Sequence, residues 1–412
     1  MRRARLLGVA ILVTALSLLA IPATAEGAAK PKSVYTPVLA QLLAPNHPAP
    51  VLGTDHKYHV LYELRLSNRG PLPATIQQLV VFDADSHAVI RTYEGPDLQA
   101  RFRDIGGVTA PDTVIAPGEE RVFLVDLEFG LSFNVPAAVG HRLVLLGPAG
   151  PSATEPTPVS YSIATVPVDG PTATVLTPPL KGNGWVATNG CCDIASADRT
   201  TILPVNGGLW SPLRFSIDLA QLDDTGLFVH DDPAQLRNYT GYGTDVLAAA
   251  PGQVVAALDT LPDQPAGPPP GSAANNFESA DGNYVVVDLG NGSFVLYGNL
   301  QPGSLTVKVG DHVQRREVLG TIGNSGDSAF PHLEFRLMSG PSPVGSDGLP
   351  FVLSGFAYEG QLDAAQYQSQ GVVGNYLQSR AAQADPRRRE LPLDLAIIDF
   401  GEPGGAGAVG RT

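Results

Sequence analysis

The sequence has few of the residues that build small metal-stabilised folds or bind nucleic acid. Only two cysteines, Cys191 and Cys192, occur in 412 residues. A zinc ribbon needs four ligands, so that class is excluded. Lys and Arg total 26 against 40 Asp and Glu, giving a formal charge of −14. Because nucleic acid is bound by Lys and Arg that neutralise phosphates, we expect no nucleic-acid partner.

Long apolar runs are also missing, except at the start of the chain. Arg2, Arg3 and Arg5 precede an apolar stretch over residues 6–20, which Ala23-Thr24-Ala25 follows. This order is typical of a cleaved secretory signal, and about fifteen apolar residues are too few to span a bilayer. We predict a signal peptide over residues 1–25 and an exported mature chain without a transmembrane segment. Loss of the three arginines moves the formal charge from −14 to −17.

The two cysteines are adjacent, which limits their chemistry. Consecutive α-carbons lie about 3.8 Å apart, below the usual range for a disulfide. We therefore favour two partly buried thiols. A strained disulfide is the alternative, since an oxidising compartment outside the cytoplasm favours oxidation.

The first half of the chain reads as an all-β module, consistent with 45 Gly and 37 Pro in the sequence. Residues 26–50 are rich in Ala and Pro and indicate a linker. Seven short runs follow within residues 51–166, separated by turn residues: 58–66, 76–83, 88–93, 99–104, 121–129, 141–146 and 159–166. This spacing predicts a β-sandwich that resembles immunoglobulin-like modules. His56, His59, His87 and His141 fall on different runs without paired spacing, so we expect no metal cluster among them.

The second half has its own pattern. Gly290-Asn291-Gly292 between two β-type runs predicts a hairpin. Further strands are expected at 305–309, 318–322 and 333–338, and residues 262–274 form a Pro-Gly-rich loop. Residues 361–400 read as a polar C-terminal extension with a final strand at 391–400, and the Gly-rich residues 401–412 as a disordered tail.

Five phrases in the second half carry a family resemblance. They are Ala250-Pro251-Gly252-Gln253-Val254-Val255, Gly282-Asn283-Tyr284-Val285-Val286-Val287, Tyr297-Gly298-Asn299-Leu300, Val309-Gly310-Asp311-His312-Val313, and Gly323-Asn324-Ser325-Gly326 leading to Pro331-His332-Leu333-Glu334-Phe335. In this order the chain resembles the lysostaphin-type peptidoglycan metallopeptidases. The resemblance implies an antiparallel sheet, the duplicated hybrid motif, over residues 167–360 with a core at 240–340. The expected fold is thus all-β, a sandwich followed by this sheet domain.

The same resemblance implies a catalytic site that is eroded here. Active relatives hold zinc with a histidine, an aspartate and the second histidine of a His-x-His pair, and the metal activates a water. In this chain His332 stands at the catalytic histidine, Glu334 at the third ligand, and Asn299 at a further histidine that handles the water.

The first two ligand positions allow two alignments. The favoured one matches Arg214-Phe215-Ser216-Ile217-Asp218 to relatives that carry a long insertion, so that Asp218 is the aspartate ligand and Asp198 stands at the first histidine. The other follows compact relatives and places the motif on residues 241–245, with Gly241 at the histidine. Both alignments lack the first histidine.

Two chemical outcomes follow for the altered groove. Asp198, Asp218 and Glu334 would converge, and carboxylates about 4 Å apart repel by roughly 4 kcal/mol per pair at an effective dielectric of 20. An oxygen-only site suits calcium, magnesium or manganese better than zinc. Alternatively Arg199, Arg214 or Arg336 bridges the carboxylates. We favour the metal-free groove.

The sequence therefore predicts an exported, peptidase-like protein with a degenerate metal site. We expect a non-catalytic or regulatory module that binds peptidoglycan or a cell-envelope protein, located in the secreted, periplasmic or wall-associated fraction. The first alternative is an active metalloendopeptidase that cleaves cross-link peptides with zinc or another divalent cation. A surface adhesion protein is the second alternative.

Overall fold

The computed structural model of the protein describes residues 33–43, 47–131, 134–170, 173–268 and 279–401. The predicted signal peptide, and the tail beyond Gly401, lie outside these residues. Two compact units are distinguished, 1–34 and 35–412, and every element below belongs to the second. In the ranges just given, no helix combines the length and the apolar character needed to cross a membrane.

Among its described residues, the N-terminal part has ten strands and one short helix. They are β1 Val38–Leu42, β2 Val51–Leu52, β3 Lys57–Asn68, β4 Ala74–Asp83, β5 Val89–Glu94, α1 Gly95–Ala100, β6 Phe102–Arg103, β7 Val114–Ile115, β8 Glu120–Gly130, β9 Ala138–Gly147 and β10 Thr157–Pro167. One antiparallel sheet has the order β1-β3-β8-β6, with β2 also on β3. The other has the order β10-β9-β4-β5, with β7 also on β4.

The two sheets enclose one core, as the alternating pattern predicts. Val60, Tyr62 and Leu64 of β3 point to the same face because side chains alternate along a strand. They join Leu79 of β4 and Leu143 of β9 in one buried cluster. The β-sandwich is therefore present, and its immunoglobulin-like character remains a prediction.

Two local predictions in this part were wrong. Residues 38–42, inside the expected linker, form β1 and pair with β3. Residues 99–104, expected to form one strand, are split between the end of α1 and β6. The helix begins there because Pro96 and Asp97 occupy its first turn, where a missing N–H costs nothing and an acidic side chain favours the helix dipole.

The C-terminal part contains seventeen strands and two α-helices among the described residues. They are β11 Thr174–Leu176, β12 Trp185–Thr188, α2 Ala197–Thr200, β13 Leu203–Val205, β14 Gly208–Trp210, β15 Ile217–Gln221, β16 Asp245–Leu247, β17 Gly252–Leu258, β18 Asn283–Asp288, β19 Phe294–Leu300, β20 His312–Val313, β21 Val318–Thr321, β22 Leu333–Met338, β23 Gly348–Leu349, β24 Phe351–Leu353, β25 Phe356–Gln361, α3 Ala364–Gln370, β26 Arg380–Arg387 and β27 Ala396–Asp399. The described residues of this part also form 3₁₀ turns at Leu236–Asn238, Gly371–Val373 and Leu377–Ser379.

A large eleven-stranded sheet dominates this part. Its order is β20-β17-β18-β19-β22-β15-β12-β27-β25-β26, with β23 on β22. Leu333, Phe335 and Leu337 of β22 enter the main core with Ile217 and Leu219 of β15. Because side chains alternate, Glu334 and Arg336 of β22 and Asp218 of β15 lie on the opposite face. The pattern of the strands thus fixes which face carries the charged residues.

The C-terminal extension is part of this sheet. The final strand is present, although it is shorter than predicted, and β27 pairs with β12 and β25. The preceding polar stretch forms α3 and β26. The strand expected at 305–309 is not among the described strands.

Cys191 and Cys192 follow β12 and are joined by a disulfide bond. Both are buried. The favoured prediction of two thiols was therefore wrong, and the alternative is the one found. The pair lies in the segment that leads from β12 to α2.

Candidate functional site

The central feature of the charged face is the pairing of β15 with β22. The two strands are antiparallel, and their register places Asp218 directly opposite Glu334. Directly opposed residues have Cβ atoms about 4.5–5.5 Å apart, and like charges there are destabilising. Both side chains are buried. This pair therefore needs a compensating positive charge or a proton nearby.

Arg336 supplies that charge from the same strand as Glu334. Its guanidinium is fully buried and donates from Nη1 to Glu334 Oε1. Nη2 lies 2.9 Å from Asp281 Oδ1 and donates to the Pro343 carbonyl at 2.9 Å. A guanidinium can bond two carboxylates at once because its donors form a planar fork. Arg336 thus joins Glu334 to Asp281, which precedes β18 of the same sheet.

Asp281 is a site residue that the sequence analysis missed. It lies just before β18 and is buried. The following Gly282 has φ +66°, and a Cβ there would lie 2.4 Å from the Ser325 carbonyl oxygen, so glycine is needed for this tight approach. The sequence offered one signal: an aspartate stands directly before the Gly-Asn phrase that carries the family resemblance.

Asp198 lies in the short helix α2, near Asp218 and Arg336. Burial raises the pKa of its carboxyl well above the usual range, the charge of Asp218 raises the pKa further, and Arg336 opposes the shift. Burial and Asp218 therefore disfavour the charged form of the Asp198 carboxyl. A protonated carboxyl is a poor metal ligand, because the ligand form is the anion.

His332 keeps a defined orientation. Its Nδ1 donates to the Phe330 carbonyl at 2.8 Å, which fixes Nδ1 as the protonated nitrogen, since a carbonyl only accepts. Nε2 lies 3.6 Å from Asp218 Oδ1, too long for a hydrogen bond. Asn189 donates to the other oxygen of Asp218 at 2.8 Å. Asp218 is therefore held by an amide and approached by an imidazole.

Asn299 uses its amide for structure. The residue is buried, has φ +59°, and donates from Nδ2 to the Ser325 carbonyl at 2.8 Å. Its backbone N–H donates to the Asp281 carbonyl at 2.8 Å. Its side-chain oxygen has no hydrogen-bond partner among the described residues. We use the name polar cluster for Asp198, Asp218, Asp281, Asn299, His332, Glu334 and Arg336.

Helix α3 packs against this cluster. Burial raises the pKa of the Tyr367 hydroxyl, and the nearby charge of Asp218 raises it further. Tyr367 also packs with Phe228 and Tyr376, with ring centroids 6.3 Å and 6.1 Å away. The C-terminal extension therefore covers part of the polar cluster.

Arg214 does not belong to the polar cluster, which corrects the sequence-based expectation. It binds Glu63 of β3 at 2.5 Å and lies 3.4 Å from Asp347. Arg199 donates to the same carboxylate at 2.7 Å. Glu63 is fully buried between the two arginines. Of the three arginines proposed as bridges, Arg336 is the one that contacts the cluster carboxylates.

The geometry distinguishes the two alignments of the aspartate ligand. Asp218 lies on the strand next to Glu334, whereas Asp245 is exposed on β16 and pairs with Thr321 in a separate two-stranded sheet. Asp198 lies close enough to Asp218 to shift its own titration. The placement therefore favours the alignment through Asp198 and Asp218.

The residues present do not fit a zinc ion. A catalytic zinc site is built from three ligands that are usually imidazoles, and a cationic guanidinium bonded to Glu334 repels a second cation. Within the described ranges, no three His, Cys, Asp or Glu side chains come together as ligands of a metal ion.

A family model matches part of this sheet. Residues 237–346 match the model of peptidase family M23. A search of curated proteins gives no match. The solution structure of lysostaphin is similar at 23% identity over 32% of this chain and 38% of that chain, with a TM-score of 0.19. This chain thus spans well under half of that protein.

Two catalytic domains are also similar. The lysostaphin catalytic domain from Staphylococcus simulans has 19% identity over 41% of this chain and 88% of that chain, with a TM-score of 0.23. A variant of the catalytic domain of the prophage-encoded M23 protein EnpA from Enterococcus faecalis has 21% identity over 30% and 83%, with a TM-score of 0.19. TM-scores this low carry no argument of their own. The family match confirms the resemblance that the sequence phrases indicate.

Proposed function

Since the chain contains a domain of peptidase family M23, we propose that it is an exported, non-catalytic member of that family that binds peptidoglycan or a cell-envelope protein. The position of Arg336 supports this function most directly. A fully buried guanidinium bonds Glu334, the residue at the third ligand position. A fixed organic cation therefore neutralises carboxylates that would otherwise attract a metal ion.

The other cluster residues support the loss of hydrolysis. Peptide cleavage of this type requires a metal that lowers the pKa of a water molecule and polarises a carbonyl. At the first ligand position, burial and the charge of Asp218 raise the pKa of Asp198, which disfavours the anion that a metal ion needs. Asn299 donates its amide hydrogen to the Ser325 carbonyl and has no ring nitrogen to accept a proton from water. His332 keeps a fixed orientation, but the metal-activated water that it would assist in an active relative is not part of the proposed site.

The remaining polar atoms of the cluster suit recognition of a peptide. Among the residues that the structure describes, Asp281 Oδ2 and Asn299 Oδ1 are buried acceptors without a hydrogen-bond partner. Buried acceptors of this kind favour a ligand that brings N–H groups. Peptidoglycan stem peptides carry such amides and amines, as do the segments of partner proteins. Both peptidoglycan and a cell-envelope protein could therefore supply the N–H groups that these acceptors need.

Export is part of the proposal. The basic, apolar and small-residue segments at the start of the sequence support a cleaved signal, and the net negative mature chain favours solubility. The disulfide between Cys191 and Cys192 agrees with an oxidising compartment, where such bonds persist. We place the mature chain in the secreted, periplasmic or wall-associated fraction.

A wall-binding and cleavage assay tests this function. The mature chain is incubated with purified peptidoglycan in the presence of zinc, then the pelleted protein and the newly released amino groups are measured. We expect co-sedimentation without release of amino groups. Asp218→Asn should weaken co-sedimentation, and Glu120→Gln on the sandwich surface is the matched control that should not.

The outcomes separate the candidate functions. Release of amino groups that depends on zinc would establish the active metalloendopeptidase with a non-standard ligand set. If the protein neither sediments with the wall nor releases amino groups, the peptidoglycan part of the proposal is wrong. Binding to a cell-envelope protein would then be the part of the proposal to test.

A further inference from the structure

A cavity of about 600 Å³ lies apart from the polar cluster. One wall belongs to the sandwich and includes His59, Arg101 and Asp126. The opposite wall includes the Cys191–Cys192 disulfide, the adjoining Asp193, and Asp394 near β27. Residues of the polar cluster do not line it. Cavities of 300–1,000 Å³ are the usual size of small-molecule sites.

The sandwich wall carries polar groups that the protein leaves unsatisfied. Asp126 Oδ1 and His59 Nδ1 are buried and have no hydrogen-bond partner among the described residues. His59 is 4% exposed, and its Nε2 lies 3.1 Å from Asp55 Oδ1. Because a carboxylate accepts, Nε2 carries the hydrogen and Nδ1 of the neutral ring is left as an acceptor. Asp126 Oδ1 and His59 Nδ1 on this wall can therefore each accept a hydrogen bond from a ligand.

Arg101 adds a donor to the same wall. It is 7% exposed, its Nε lies 2.9 Å from Asp97, and its guanidinium lies 4.7 Å from the Tyr93 ring centroid. Its Nη1 is buried and has no hydrogen-bond partner in the part of the chain that the structure describes. Since Arg101 and Asp126 do not form an ion pair within 4 Å in that part, each can serve a different group of one ligand.

The opposite wall combines carboxylates with apolar surface. Asp394 accepts from the Gly190 N–H at 3.0 Å, and its pKa is raised to about 6, first by burial and then, among other contributions, by the charge of Asp193. Ile194, Leu393 and the disulfide lie beside these two acids. A ligand that places a cation at Asp193 and Asp394 would remove their repulsion while its stem covers the apolar part.

We propose that this cavity binds a free basic α-amino acid. Its α-ammonium contacts Asp126 and His59, its carboxylate contacts Arg101, and its side-chain ammonium contacts Asp193 and Asp394. The apolar stem of the amino acid lies along Ile194 and Leu393. Each group of the ligand thus meets a side chain of complementary charge or hydrogen-bonding capacity.

The charge balance favours this ligand over simpler ones. Of the five carboxylates on the walls, Asp55 lies 3.9 Å from Lys57 Nζ and accepts from His59 Nε2, and Glu128 pairs with Lys57 at 2.5 Å. Asp126, Asp193 and Asp394 remain without an ion pair to a cation among the described residues. A simple anion would meet these three acids, and a simple diamine would leave Arg101 unsatisfied. A basic amino acid brings two cations and one anion.

Calorimetric titration of the mature full chain tests the proposal with three soluble probes. L-lysine has all three charged groups, L-norleucine lacks the side-chain amine, and cadaverine lacks the carboxylate. We expect saturable binding of L-lysine below about 10 mM, and at least about tenfold weaker binding of each of the other two. Equal binding of cadaverine and L-lysine would overturn the role of Arg101, and equal binding of L-norleucine that of Asp193 and Asp394.

Two isosteric variants complete the experiment. Asp126→Asn replaces one carboxyl oxygen with an amide nitrogen, with little change in shape, and should weaken L-lysine binding by about tenfold or more. Asp85→Asn, an exposed position outside the cavity, is the control and should bind like the parent chain. Thermal unfolding of both variants verifies that they fold. Absence of saturable L-lysine binding, or full binding by a folded Asp126→Asn chain, would overturn the proposal. Because no cell wall is present, these results leave the proposed function of the polar cluster untouched.

Discussion

Arg336 and Glu334 lie two residues apart on β22, point to the same face, and bond to each other inside the protein. In the family pattern, position 334 belongs to a metal-binding histidine. Here the strand carries both an acid at that position and the cation that neutralises it. This buried cation offsets part of the charge of the carboxylates at the centre of the sheet.

Removing the cation should destabilise the fold. Arg336→Met leaves Glu334 and Asp281 buried without their partner, and breaking a buried pair in this way costs about 3–5 kcal/mol. Chemical denaturation measures the loss. A triple variant with Glu334→Gln and Asp281→Asn added to Arg336→Met should lose less, because no charge is left unpaired. An Arg336→Met chain as stable as the parent would show that the guanidinium does not hold the cluster together.

Glu63 should contribute as much to the unfolding free energy as Arg336, although it lies in the sandwich. Its fully buried carboxylate binds Arg199 and Arg214 at 2.7 Å and 2.5 Å. Burial raises its pKa, but the two arginines together hold the pKa below the usual range. Glu63→Gln should therefore cost about 3–5 kcal/mol of unfolding free energy.

The control for Glu63 is another glutamate of the same sheet. Glu120 pairs with Arg69 at 2.8 Å at the partly exposed surface. Exposed pairs contribute about 1 kcal/mol or less. If Glu63→Gln and Glu120→Gln shift the denaturation midpoint equally, the buried pair has no special role.

His141 should make stability depend on pH. The ring is buried, it is within 2.7 Å of the Tyr62 hydroxyl, and burial lowers its pKa from 6.5 to about 4. The unfolded chain then binds a proton that the folded chain excludes between these values. Stability from this group is complete above about pH 6.5 and falls as pH drops towards 4, by about 3 kcal/mol in all.

Comparison with His141→Gln isolates this effect from other titrating groups. Unfolding free energies of both chains are measured from pH 7 to pH 4. The difference between parent and variant should shrink or reverse as the pH falls. A constant difference across this range would mean that the buried imidazole does not titrate as described.

Restoring zinc ligands should require removal of Arg336. Asp198→His, Asn299→His and Glu334→His return imidazoles to the family positions, but the guanidinium would still repel a cation. We expect weak zinc binding by this triple variant and about one zinc per chain when Arg336→Met is added. Equal zinc content in both variants would show that the arginine does not exclude the metal.

The fold was predictable where apolar and polar residues alternate, or where the family phrases occur. β3, β8 and β22 follow from apolar residues on every second position, and the peptidase-like sheet follows from the phrases between residues 250 and 335. The first strand was missed because five residues give too short a pattern. The split at residues 99–104 was missed because Pro96 and Asp97 lie outside the apolar run that suggested a strand.

The candidate site was predictable only in part, for a physical reason. Asp218, Glu334 and His332 were identified because the resemblance to the family's motifs places functional side chains at these positions. The partners of Arg214 and Arg336 depend on which carboxylate approaches in three dimensions, and Glu63 is separated from Arg214 by 151 positions. Asp281 became visible as a partner of Arg336 only in the structure.

The central claim is that a buried arginine, and not a metal ion, neutralises the polar cluster. The most direct test is the metal content of the mature chain, purified without chelator, dialysed against excess zinc and then against metal-free buffer, by elemental mass spectrometry. We predict far less than one zinc per chain, unchanged in Glu334→Gln. One zinc per chain that Glu334→Gln abolishes would contradict the claim.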